Sequence, residues 1–254
     1  GCFEATRLVV ADGGTKHVDH LEAHLARMER SASALGLTFD EPAWRSLLDE
    51  VVADWSAPGE AALRWMLTRG RESQPRQPTG VVTVAPLDDA TLRQRKGVDV
   101  ATLPCGRPAD AFLGAPWLLG GVKTLSYAVN MAAGREAKRR GVDDVLWTST
   151  DGFVLEAPRS ALVWRIGDRL STTSHDGTGI LASITQAAIF AGAAADGVGT
   201  SYELIRVRDL PRVDGAWLVS SGRLAAPIRT LDGATLAGDP SWDERLARWF
   251  TAPI

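Results

Sequence analysis

The sequence predicts a mixed α/β (α+β) chain in two domains, a small one over residues 1–94 and a larger one over 95–254. Three observations lead there. Amphipathic stretches of helical period alternate with short β-branched runs closed by Gly or Asp-Gly turns. A charged connector over residues 87–97, with Asp88, Asp89, Arg93, Arg95 and Lys96, interrupts that pattern and marks the boundary. The chain has 254 residues, enough for a substantial core divided between two modest domains.

Residues 1–10 alternate loosely and end at Asp12-Gly13-Gly14, which reads as a strand and hairpin. Residues 17–35 read as a helix stopped by Gly36, with Leu21, Leu25 and Met28 on one face. His17, His20 and His24 fall within two turns of it, but no acidic or cysteine partner stands at a metal-site spacing, so no metal is expected. Residues 42–55 give a second helix, striped by Trp44, Leu47, Leu48 and Val51. Strands follow at 62–68 and 80–85, around a polar loop bearing Arg69, Arg71 and Arg76. Past the connector come a strand over 98–103, an irregular proline-bearing crossing over 105–119, and a helix over 131–140 with Gly141 as its stop. Residues 143–156 read as two strands about the Asp151-Gly152 turn, and 161–166 as another strand before Gly167-Asp168. A helix over 182–195, strands at 202–208 and 216–220, a hairpin around Asp232-Gly233 and a last helix over 241–250 complete the chain.

Formal net charge is −3 with both signs mixed along the chain, which is no nucleic-acid footprint. Cys2 and Cys105 are the only cysteines, too few for a disulfide framework, and that fits a reducing compartment. No long uncharged apolar run predicts a membrane span. A cytoplasmic protein is the expectation.

The stretch Gly120-Gly121-Val122-Lys123-Thr124-Leu125-Ser126-Tyr127 puts a lysine after two glycines and a tyrosine at the mouth of a helix. Such a lysine is either a solvated charge or an amine held in a closed site as nucleophile or base. Asp151-Gly152-Phe153-Val154-Leu155-Glu156 follows, and then Gly179-Ile180-Leu181-Ala182-Ser183-Ile184-Thr185-Gln186. Three motifs in this order resemble the class IV pyridoxal-phosphate enzymes of fold type IV. That family contains aminodeoxychorismate lyase and the branched-chain and D-amino-acid aminotransferases. The resemblance runs from Gly1 into the last helix. It implies a larger domain with a β-barrel-like core and flanking helices, a homodimer, and a strand that usually precedes the first one here.

By that resemblance the cofactor is pyridoxal 5′-phosphate, with Lys123 as its Schiff-base lysine. Glu156 holds the pyridine nitrogen, and Tyr127 contacts the ring hydroxyl. Arg27, the amides of Ile184 and Thr185 at a helix start, the Thr185 hydroxyl and Ser221 hold the phosphate. Arg76, and after it Arg69, are the candidates for the carboxylate of a small substrate bearing an amine and a carboxylate. Each residue also has a plain reading: Arg27 as a surface helix arginine, Tyr127 as a core aromatic, Glu156 as a strand-end charge, Thr185 as a cap.

Departures are visible. The family's Gly-Ile-Thr-Arg becomes Ser183-Ile184-Thr185-Gln186, and Ala161 stands where aminotransferases carry an asparagine. The second change weighs against branched-chain transamination more than against cofactor binding. The expected reaction is lysis of 4-amino-4-deoxychorismate to 4-aminobenzoate and pyruvate, a step of folate biosynthesis. The alternatives are transamination of D- or branched-chain amino acids, and a catalytically degenerate homologue that binds a phosphate ligand.

Overall fold

The computed structural model describes residues 1–73 and 77–251, which divide into two compact units. Unit 1 holds Gly1–Asp88 together with Val122–Ser126, and unit 2 holds Asp89–Gly121 and Tyr127 onward. Residues 89–94 thus lie with unit 2, and the segment carrying Lys123 lies with unit 1.

Unit 1 contains β1 (Cys2–Val10), β2 (Lys16–Val18), α1 (Leu21–Ala34), α2 (Glu41–Asp54), β3 (Gly59–Thr68) and β4 (Thr79–Pro86). The strands form one antiparallel sheet in the order β2-β1-β3-β4. Alternation along β1 turns Cys2, Glu4, Thr6, Leu8 and Val10 inward, where the apolar ones meet Leu25, Met28, Leu48 and Trp65. The helix expected from residue 17 starts later. His17 and Val18 pair with Val9 and Leu8 as β2, and His20 sits at the helix entry with a left-handed φ of 47°. α2 matches its expected span and is capped by Asp40, whose side chain accepts from the Ala43 amide.

Unit 2 runs α3 (Asp89–Gln94), β5 (Val98–Pro104), α4 (Ala128–Arg140), β6 (Asp144–Thr148), β7 (Ala161–Ile166), β8 (Arg169–Thr173), α5 (Ile184–Ala195), β9 (Gly199–Glu203), β10 (Gly215–Ser220), β11 (Leu224–Leu231), β12 (Ala234–Thr235) and α6 (Pro240–Thr251). α3 occupies part of the stretch that reads as a connector. The sheet order is β6-β5-β11-β10-β7-β8-β9, with β12 on β11. The parallel neighbours β5/β6 and β8/β9 are joined through α4 and α5, because a parallel pair needs a crossover. The barrel-like core expected of this unit is not a closed barrel: β6 and β9 end the strand order without pairing to each other among the described residues. Alternation assigns Leu162, Trp164 and Leu218 to one core cluster, and Val163, Trp217 and Val219 to the cluster beneath α5 and α6.

Two strand expectations are corrected. Beyond β6 the chain makes only single bridges, Thr148 with Val154 and Phe153 with Arg206, so no second strand leads to Glu156. The strand expected at 202–208 lies instead at 199–203, because the chain leaves β8 there and Val207 donates to the Gly152 carbonyl. Among the described residues no helix is long and apolar enough to cross a membrane.

α5 packs on α6 at a glycine: a Cβ on Gly192 would stand 2.6 Å from Trp249 Cβ and 2.8 Å from its Cδ1. Gly192→Ala is expected to push the two helices apart and cost ~1–3 kcal/mol despite alanine's better helix propensity, read as a lower urea midpoint.

Candidate active site

In unit 1, the segment 122–126 lies against the start of β1. Phe3 N–H donates to the Lys123 carbonyl (3.1 Å), Leu125 N–H to the Gly1 carbonyl (2.8 Å), and Cys2 bridges Thr124. The Lys123 amide also donates to Ser31 Oγ on α1 at 3.3 Å. The backbone of the lysine is therefore fixed from two sides. Its side chain is half-buried, with Nζ 4.4 Å from the centre of the Phe3 ring.

Arg27 is buried, not a surface arginine, and forms a two-pronged pair with Glu4: Nε to Oε1 and Nη2 to Oε2, each 2.7 Å. His24 Nδ1 lies 2.8 Å from Glu4 Oε2. Glu4 is fully buried, yet its carboxyl sits at about 2: burial pushes it up, and the hydrogen bonds and charge of Arg27, helped by His24, overcome that. Burial pushes His24 down, and the Arg27 and Lys123 charges add to this against the pull of Glu4. An ionised Glu4 only accepts, so Nδ1 donates and Nε2 carries no proton in the neutral ring. Arg69 donates to the Leu35 carbonyl at 2.7 Å and to the Gly36 carbonyl at 3.4 Å, closing the C-terminal end of α1. Arg76 lies outside the described residues.

In unit 2, Glu156 is half-buried and its Oε2 accepts from the Leu181 amide at 3.2 Å. Tyr127 stands at the N-cap of α4, and its hydroxyl donates to the Pro158 carbonyl at 2.8 Å, a carbonyl that the Asn130 amide also reaches. Burial pushes the phenol up to about 12, with Arg159 opposing and Glu156 and Asp144 assisting. Asn130 carries no motif, but it lies three residues beyond Tyr127 on the same helix face, the one sequence signal that marks it.

The departures in the third motif have structural roles. Ser183 caps α5, its hydroxyl accepting from the Gln186 amide, while the buried Gln186 donates to the Tyr202 hydroxyl at 3.1 Å. The amides of Ile184 and Thr185 lie in the first turn of α5, where a helix has no acceptor of its own, and the Thr185 side chain is buried. Ala161 is packed in the cluster beneath α5 and α6. Ser221 occupies the turn between β10 and β11, half-buried. A cleft of about 290 Å³ is lined by Phe112, Gly120, Gly121, His175, Gly179 and Ala182, the last of these two residues before α5. A Cβ on Gly179 would stand 2.2 Å from the Phe112 ring, so glycine is required there for contact as well as for its φ of 69°.

Comparison with known proteins gives the family and the fold. Residues 1–231 match the family model for amino-transferase class IV. A bifunctional aminodeoxychorismate lyase / D-amino acid transaminase of Mycobacterium tuberculosis is 41% identical, over 94% of this chain and 84% of its own length. Among solved structures, a hypothetical aminotransferase of the same organism is 41% identical in its pyridoxal-phosphate-bound form. It superposes with a TM-score of 0.91 over 98% of this chain and 87% of that one. A fold IV transaminase from Curtobacterium pusillum is 39% identical, with a TM-score of 0.90 over 100% of this chain and 87% of that one.

The Glu4 cluster yields a stability prediction. Glu4→Gln leaves the Arg27 guanidinium buried without its counter-charge and is expected to destabilise unit 1 by ~3–5 kcal/mol, checked by thermal melts at neutral pH. Because the folded carboxyl sits below its ordinary 4.5, the stability it contributes is present above pH 4.5 and is lost as pH falls toward 2. His24, lowered from 6.5, adds a loss that starts as pH drops below that value, since the unfolded chain takes up the proton more readily. Removing Glu4 flattens the lower limb.

Proposed function

The chain belongs to the class IV aminotransferases, and from that membership we propose that it is a lyase that splits 4-amino-4-deoxychorismate into 4-aminobenzoate and pyruvate. Its cofactor is pyridoxal 5′-phosphate. The donor set fits that group: a half-buried primary amine with a fixed backbone, a carboxylate oriented by an amide, and a helix start whose first N–H groups have no acceptor within the helix. The observation that carries the reading is the anchoring of Lys123, held by both its amide and its carbonyl.

Bound pyridoxal phosphate supplies an electron sink for the pair left behind when a proton leaves an amine-bearing carbon. The Lys123 amine takes that proton. In aminodeoxychorismate the neighbouring carbon carries the enolpyruvyl ether. Loss of the proton breaks that C–O bond, the ring becomes aromatic, and the proton on Lys123 is available to the departing enol. Glu156, oriented by the Leu181 amide, would hold the pyridine ring nitrogen in its protonated form. Tyr127, whose phenol stays protonated at neutral pH, would meet the ring hydroxyl. The Ile184 and Thr185 amides, the Thr185 and Ser221 hydroxyls and Arg27 would hold the phosphate. Arg76, which the family resemblance favours over Arg69, is the arginine proposed for the substrate carboxylate; Arg69 is engaged by the Leu35 carbonyl.

A second reading, transamination of D-amino acids, uses the same proton removal and is favoured by the bifunctional Mycobacterium relative. Ala161, which cannot replace an asparagine's hydrogen bonds, weighs against branched-chain substrates. A cytoplasmic homodimer belongs to the proposal. Leu113, Trp117, Val129 and Met131 are exposed apolar side chains of unit 2 that a second copy would cover.

Borohydride reduction of the holoenzyme followed by peptide mapping is expected to label Lys123, and Lys123→Ala to lower turnover at least ~100-fold. A label on another lysine removes the assignment. Release of 4-aminobenzoate from aminodeoxychorismate supports the lyase. Glutamate formation from D-Ala and 2-oxoglutarate with no 4-aminobenzoate supports the transaminase instead. A protein that holds the cofactor and makes neither product is the degenerate homologue.

A further inference from the structure

The turn that carries Ser221 is tied down from outside its own hairpin. Arg95 donates to the Gly222 carbonyl from Nε at 3.0 Å and from Nη2 at 2.8 Å. Its neighbour Gln94, the last residue of α3, accepts from Arg223 Nε at 2.9 Å. Arg223 places Nη1 on the Asp144 carboxylate at the start of β6 and on Ser160 Oγ at 3.2 Å. Arg223 and Asp144 are buried, at 4% and 3% exposure. Within the turn the Arg223 amide donates to Ser220 Oγ at 3.3 Å, and Leu224 follows at a φ of 60°, a left-handed backbone that side chains rarely adopt.

The hairpin does not need these ties to form. β10 and β11 already pair from Trp217 with Pro227 to Ser220 with Leu224. A buried ion pair is also a poor way to add stability, since its desolvation offsets most of its attraction. What the ties do is remove freedom from four residues, 220–223, before any ligand arrives. Donors fixed beforehand lose less entropy when an anion binds.

We propose that Gln94, Arg95 and Arg223 are positioning residues for phosphate binding, holding the 220–223 turn so that Ser221 presents its hydroxyl to the cofactor phosphate. This rests on the phosphate role of Ser221 given above. The end of α3, which reads in sequence as part of a charged connector, is then part of the binding machinery without touching the ligand.

The test titrates cofactor-free enzyme with pyridoxal phosphate and, separately, with pyridoxal, following tryptophan fluorescence. Wild type is expected to bind the phosphorylated form more tightly. Equal affinity for the two overturns the phosphate reading and this inference together. Arg95→Gln is the first variant, because Arg95 is only half-buried. It is expected to weaken pyridoxal phosphate about tenfold while leaving pyridoxal unchanged. Arg95→Lys is expected to restore part of the loss, and Arg93→Gln, exposed near the end of α3, to change neither affinity. Adding Arg95→Gln to Ser221→Ala is expected to cost nothing further. A parallel loss for both ligands, or no loss for either, overturns the positioning role while leaving the phosphate reading of Ser221 intact.

Discussion

Unit 1 depends on a short backbone pairing: residues 122–126 laid against the start of β1. Those residues stand far from β1 in sequence, and the chain on either side of them belongs to unit 2. The Phe3 amide holds the lysine's carbonyl and the Ser31 hydroxyl its amide, while Leu125 and Thr124 tie the flanking residues to Gly1 and Cys2, so the main chain at Lys123 is preset. A nucleophilic amine works when its approach is preset, because orientation lost to disorder must be recovered at each turnover. Within unit 2, Gly121 adopts a φ of 74°, and its amide donates to the Gly179 carbonyl at 3.1 Å.

Within unit 2 the groups of interest stand at the ends of elements rather than in their middles. Tyr127 is the N-cap of α4, Ile184 and Thr185 open α5, Ser221 sits between β10 and β11, and Glu156 lies in the loop beyond β6. The two helices are the crossovers that parallel strand pairs demand, so the sheet topology itself decides where those helix starts fall. Chemistry is placed by packing, and the loops carry the side chains.

Much of this was legible in the sequence because local physics dominates there. Gly141 ends α4 with a φ of 73°, as a glycine after a basic last turn implies. Ser183, read in sequence as a loss of the family's glycine, is a cap whose hydroxyl accepts from the Gln186 amide, and a serine at the mouth of a helix says as much. What was not legible is what long-range pairing decides. His17 and Val18 carry no mark that separates a helical first turn from a strand; only their register with Val9 and Leu8 does so. Residues 204–208 are β-branched enough for a strand, but the partner strand β8 ends at Thr173 and the chain has no ladder to continue. Glu4 lies in an apolar alternation, and nothing local shows that its inward position meets Arg27 and His24. The open edge of the large sheet is likewise a tertiary fact, set by which strands end without partners.

The Glu4 cluster also fixes what kind of help Arg27 can give an anion. Its guanidinium has five N–H donors, and the Glu4 carboxylate takes two of them, so the planar group cannot rotate without breaking both bonds. Glu4 matches the charge almost completely, and a neutral His24 adds none. Arg27 therefore offers direction more than net charge. In unit 2 the start of α5 is suited to an anion's charge, because helix dipoles concentrate positive potential at amides that have no acceptor in the helix. Under the proposed phosphate roles, losing Arg27 would therefore loosen orientation, and losing the α5 amides would lower affinity for the charged form of the ligand.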